Sequence, residues 1–132
     1  MDRVRGRQLL DHIQQVPPEQ FNYGVFFKTP TRAFLTCADV NRHGVPQPGC
    51  GTAACLCGHA VWLWADEVAV ETEFTIDRVQ RLMQLSMSEC QFLFLRRVGS
   101  ATRVDAIRRL QHLLDGGAPW TYPWELEEMQ RA

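Results

Sequence analysis

The chain is short of nearly everything that would give its function away at once. Its 15 acidic residues against 14 basic ones leave a net charge of −1. There is thus no global attraction to nucleic acid or to an anionic membrane. No apolar run approaches the ~18 residues needed to cross a bilayer. Lys28 is the only lysine, and the other basic residues are arginines, a bias that carries no mechanism. Asparagine occurs only at Asn22 and Asn41. No Cys-x-x-Cys pair, glycine-rich phosphate loop, paired-carboxylate site, amphipathic membrane anchor or internal repeat is present. The charged opening Met1–Arg7 starts as a signal peptide does, but Asp11, His12, Gln14 and Gln15 break the apolar stretch that should follow. The expectation is a cytoplasmic protein.

What is present is ordinary globular composition, 45% apolar and 22% charged over 132 residues. A chain of this size forms one domain and buries roughly two thirds of its unfolded surface. The five cysteines, Cys37, Cys50, Cys55, Cys57 and Cys90, are an odd number without a secretion signal, which argues against a disulfide scaffold.

Helical periodicity dominates. Val4, Leu9, Ile13 and Val16 define a first helix over 2–16, stopped by Pro17-Pro18. Pro18 opens a short second turn, and Phe21, Tyr23, Phe26 and Phe27 form an aromatic cluster read as core. Residues 28–51 are rich in glycine and proline and read as a long loop, with a short strand at Ala33–Thr36. Thr52 then caps a helix over 52–65 whose only strongly polar side chain is His59. A helix apolar on all sides is buried on all sides, so this is the expected centre of the fold. Gly58 costs about 1 kcal/mol against alanine in a helix, which suggests that another backbone packs closely there. Further helices begin at Thr75, at Ser86-Met87-Ser88-Glu89, and at Ala101 or Thr102, the last closed by Gly116-Gly117. Trp120, Tyr122 and Trp124 are expected to dock the tail. The predicted fold is mainly α: about five helices around a buried central one, preceded by a long loop and a small β-hairpin.

Three constellations carry chemistry. Cys37, His43, Cys50, Cys55, Cys57 and His59 are crowded into one segment. Within it, His43, Cys50, Cys55 and His59 make a geometrically feasible Cys2His2 zinc set, because Cys55 and His59 are spaced i, i+4. Cys55 and Cys57 point about 200° apart on a helix and cannot share an ion. The competing reading makes these cysteines tight core contacts and His59 a hydrogen-bonded core residue. Second, Cys50 just ahead of a helix is placed for a lowered thiol pKa and a nucleophilic role. Third, Arg96, Arg97, Arg103, Arg108 and Arg109 place five positive charges in fourteen residues against Asp105. They form either a solvated face or a site for an anionic ligand, and more remotely one for nucleic acid.

Two resemblances follow from these residues. Gln47-Pro48-Gly49-Cys50-Gly51-Thr52-Ala53-Ala54-Cys55 is similar to the opening of papain-type cysteine proteases. Its cysteines are five apart rather than three, however, and the only histidine beyond the central helix is His112, with Asp115 three residues on. The chain as a whole resembles a loosely defined group of small uncharacterised bacterial and phage proteins. The resemblance rests on Phe21-Asn22-Tyr23, on Cys50-Gly51-Thr52-Ala53-Ala54-Cys55 with Gly58, and on Leu85-Ser86-Met87-Ser88-Glu89 leading to Leu93-Phe94. In that group the first piece more often ends in methionine, and an alanine-glycine-tryptophan run replaces Cys57-Gly58-His59. It implies no particular activity. The expectation is a small accessory protein that binds a partner protein or a small anionic ligand, as a phage-type modulator of a host system would. The alternatives are a cysteine hydrolase built on Cys50 and a nucleic-acid binder using the arginines of 96–109.

Overall fold

A computed structural model describes residues 1–23, 26–49, 51–68, 75–95 and 102–119. The first helix, α1 (Arg3–Gln15), begins where the Asp2 carboxylate accepts the Arg5 N–H at 3.0 Å, and it ends before the Pro17-Pro18 pair. Its inner face buries Leu9, Leu10 and Ile13 completely. Each of these contributes roughly 1.5–3 kcal/mol relative to exposure. A single 3-10 turn, Pro18–Gln20, follows.

The aromatic segment enters a small sheet. Strands β1 (Phe27–Thr29), β2 (Arg32–Leu35) and β3 (Ala53–Ala54) pair antiparallel in the order β2-β1-β3. Phe27 stands opposite both Leu35 and Ala54 and is fully buried, while Phe21 bridges to Ala54. Phe21 and Tyr23 are buried too, so the aromatic cluster is core.

The stretch expected as a long loop contains a helix, α2 (Cys37–His43). Thr36 and Asp39 form a reciprocal capping box that nucleates it: the Thr36 hydroxyl accepts the Asp39 N–H, and the Asp39 carboxylate accepts the Thr36 N–H. Gly44, at φ +88°, ends it. The remaining loop is tied to the core by Trp62, whose indole N–H donates to the Pro46 carbonyl at 2.6 Å.

The central helix starts later than the sequence suggests. Ala53 and Ala54 are taken by the sheet, so α3 spans Leu56–Leu63 with Cys55 as its N-cap, and a short α4 (Ala65–Val68) follows. Its buried character is as expected, with Leu56 through Val61 all inside. Gly58 explains how it fits. A Cβ there would lie 2.5 Å from the Phe26 carbonyl oxygen and 2.7 Å from the Ala54 Cβ.

Helices α5 (Thr75–Leu82) and α6 (Met87–Cys90), the latter capped by Ser86 and Glu89, lead into a π-helical turn, Gln91–Leu95. The last described helix, α7 (Arg103–Leu114), starts where Asp105 accepts the Thr102 N–H at 2.7 Å. Its end is closed at Gly116, φ +87°.

α1 and α7 pack antiparallel, and an arginine at the start of each closes the end of the other. Arg3 donates to the Leu114 carbonyl, and Arg103 to the carbonyls of Ile13, Gln14 and Val16 at 3.4, 3.1 and 3.0 Å. A cation at the negative end of a helix dipole satisfies carbonyls that have no intrahelical partner. The molecule is therefore mainly α, with seven α-helices and one small antiparallel sheet among the described residues. No helix among them is long and apolar enough to cross a membrane. The tail aromatics Trp120, Tyr122 and Trp124 lie outside the described residues, as do Gly99, Ser100 and Ala101.

Gly58 supplies a test. In an open helix, Gly→Ala stabilises by about 1 kcal/mol. Here the new methyl meets backbone, and overpacking of this kind costs about 1–3 kcal/mol. Gly58→Ala should therefore lower unfolding free energy in urea. A neutral or stabilised variant would mean that α3 does not approach the Phe26 carbonyl this closely.

Candidate functional site

His59 is only 1% exposed, and both ring nitrogens are engaged. Nε2 lies 2.8 Å from the Gln20 carbonyl oxygen, and Nδ1 lies 3.1 Å from Nε2 of His12. A carbonyl can only accept, so the His59 proton sits on Nε2. Burial pushes the His59 pKa down to about 4, outweighing the favourable carbonyl, so at neutral pH Nδ1 is a lone pair. His12, itself lowered by burial, must then donate its Nε2–H to that lone pair. Its own Nδ1 is left as an acceptor, and among the described residues no group donates to it. The chain Gln20 carbonyl, His59, His12 fixes one tautomer for each ring. Phe21 stacks on His59 with centroids 5.8 Å apart, and the Trp62 ring meets it edge-on at 5.0 Å, holding the ring in place.

His12 lies in the wall of a groove of about 760 Å³ between α1 and the junction of α3 with α4. From α1 the groove takes Asp2, Val4, Arg5, Gln8, Asp11, His12 and Gln15, and from the opposite wall Leu63, Trp64 and Glu67. These α1 positions recur at helical spacing on one side, opposite the buried Leu9-Leu10-Ile13 side. Val4 and Leu63 are exposed, at 69% and 36%.

The two walls are linked at one end. Arg5 pairs in a forked contact with both carboxylate oxygens of Glu67, at 2.7 and 3.1 Å, and lies 5.2 Å above the Trp64 ring. The hydrogen bond holds Glu67 below its usual range. The Trp64 indole N–H donates to Gln8 at 3.3 Å. Arg78 stands behind this end, donating to the Glu67 carbonyl. The other end has Asp11, His12 and Gln15, with no cation among the groove's lining there.

The residues singled out in the sequence are distributed differently. Cys50, the nucleophile candidate, and Arg96 and Arg97 of the arginine run lie outside the described residues. Cys55 is the buried N-cap of α3, and His59 follows it by one turn, as the i, i+4 spacing implied. His43 is exposed at the end of α2. His59 could bind zinc only by giving up the Gln20 carbonyl or His12. Among the described residues no three His, Cys, Asp or Glu side chains are grouped to hold a metal. His112, the only downstream histidine, places its Nε2 2.8 Å from the Ala118 carbonyl.

Of the remaining arginines, Arg103 closes α1, and Arg109 is buried at 3% exposure. The Arg109 guanidinium donates to the Phe92 carbonyl at 3.2 Å and lies 5.7 and 5.8 Å over the Tyr23 and Phe92 rings. Burial raises the Tyr23 phenol well above its usual range, and that phenol donates to the Leu93 carbonyl at 2.7 Å. Only Arg108 of the three described arginines is exposed. Periodicity carried a signal for Arg109: it falls on the Ala106, Leu110, Leu113 stripe that α7 buries. His12 offered less, since its partner is 47 residues away.

The histidine pair predicts a pH dependence of stability. The folded state holds His59 neutral with its pKa depressed from 6.5 to about 4, so the unfolded chain binds more protons between these values. The associated stability is fully present above pH 6.5 and is lost as pH falls towards 4. Urea unfolding should show a loss of about 2 kcal/mol between pH 7 and pH 5, above the main carboxylate range. His12 adds in the same direction. In His59→Phe the slope should flatten, and an unchanged slope would show that His59 is not the titrating group.

No protein-family model matches the chain, and neither does any curated protein or solved structure.

Proposed function

We propose that the protein is a small accessory module that works by binding a partner protein, and that the groove between α1 and the α3–α4 junction is its binding surface. The observation that carries this reading is the placement of Val4 and Leu63. Two exposed aliphatic side chains line a concavity whose other lining residues, Trp64 apart, are polar or charged. Exposed apolar side chains set among polar ones in a concavity are a common mark of a protein interface. A segment held between two helices by apolar anchors is a recurring mode of recognition. The Arg5–Glu67 fork and the Trp64–Gln8 bond join its walls.

A partner protein is favoured over a small anionic ligand by the charge of the groove and by the engagement of Arg103 and Arg109 elsewhere. Arg103 is spent on helix carbonyls and Arg109 on the core, while the groove is lined by three carboxylates and one guanidinium. Modulation of a host system by a phage-encoded protein would use a surface of this kind.

The test is site-specific photo-crosslinking in the native cell background, with the reactive residue at Leu63 and, as control, at Met87, which is 63% exposed on α6. A discrete product from Leu63 that is absent from Met87 and lost in Val4→Glu is the expected result. Val4 is well exposed, so this variant should keep wild-type stability to within about 0.5 kcal/mol. Identical products from both positions, or a Leu63 product indifferent to Val4→Glu, would overturn the reading.

A further inference from the structure

We infer that the His12 end of the groove receives a lysine or arginine side chain from an amphipathic helical segment of the partner protein, with Asp11 supplying the charge and His12 Nδ1 the hydrogen-bond acceptor. The inference rests on the groove being the binding surface. It adds the chemistry of what is bound.

The two ends of the groove differ in kind. At the Glu67 end charge is already balanced, since Glu67 is forked by Arg5 and backed by Arg78. At the other end stand Asp11, His12, Gln15 and, one turn back, Gln8. Asp11 makes no ion pair among the described residues. His12 has its donor nitrogen committed to His59 and so presents only a lone pair. A neutral imidazole that can only accept is a poor neighbour for a carboxylate ligand and a good one for an ammonium or guanidinium, which can only donate. The buried part of the pair enforces this polarity: His12 cannot turn its N–H outward without leaving His59 Nδ1 unsatisfied in the core, where such a loss is costly.

The occupant's shape follows from the groove's length. Val4 to Gln15 spans eleven helical steps, about 17 Å at 1.5 Å each, which matches some three turns of a second helix. Apolar residues of that segment would meet Val4 at one end and Leu63 further along, where α3 runs antiparallel past Gln8 and His12. A cation about two turns beyond the Val4 contact would reach Asp11 and His12.

The probes are two synthetic fourteen-residue helical peptides with the same leucine pattern, one with lysine and one with glutamate at its polar positions. Binding to the full chain is followed by amide NMR. The lysine peptide should shift Asp11, His12 and Leu63, and bind at least tenfold more tightly than the glutamate peptide at low salt. Asp11→Asn should weaken it about three- to fivefold, the usual worth of one exposed ion pair. His12→Phe should weaken it further while circular dichroism confirms the fold. Should both peptides bind the groove equally, or Asp11→Asn have no effect, the cation inference fails while the groove reading stands. If neither peptide shifts the groove and the Leu63 crosslink is also absent, both fail. Shifts confined to the acidic positions Glu125, Glu127 and Glu128 would also overturn the inference.

Discussion

A helix whose first six residues are all buried must find partners for any polar group it carries inward, and α3 carries one, His59. Its two nitrogens have to be satisfied without water. One is met by the Gln20 carbonyl at the end of the 3-10 turn, and the other by His12 on α1. These two bonds fix how the first twenty residues lie against the centre of the fold. The aromatic rings of Phe21 and Trp62 close around the imidazole, and the sheet behind it is brought within reach by the missing side chain at Gly58. The wall of the groove that α1 supplies is therefore set by a hydrogen-bond requirement deep in the core.

Much of this architecture was legible where the signal is local. Asp2, Ser86 with Glu89, and Thr102 with Asp105 mark helix starts through side chains reaching three residues along, and all three mark starts in the structure. Thr36 and Asp39 make the same pattern, yet the glycine and proline residues beyond them drew the whole stretch into a loop and hid α2. Thr52 failed as a cap for a different reason. Ala53 and Ala54 suit a helix intrinsically, but pairing with Phe27 and Lys28 claims them for the sheet, a tertiary contact overriding a weak propensity.

The site was less legible than the fold because its parts come from distant segments. His12 looked like an interruption of an apolar run until its ring met His59. The arginine run suggested one charged face, but helical geometry turns successive positions by 100°. That rotation sends Arg109 into the core beside Tyr23 and Phe92 and leaves Arg108 in solvent. Charge density along a sequence says little about charge density on a surface until the buried stripe has been assigned.

The mutual closure of α1 and α7 bears on how the chain acquires its structure. The bonds from Arg3 and Arg103 join residues 87 to 111 positions apart. The end of α1 is therefore closed only once the residues of α7 have been synthesised. Until then its apolar side, Leu9, Leu10 and Ile13, has no cover from α7. Contacts of such long sequence separation slow folding, because the entropy of closing the loop is lost before the contact is gained. Between the synthesis of α1 and that of α7 the nascent chain carries that sticky surface, and shielding by the ribosome or a chaperone would matter most for this stretch.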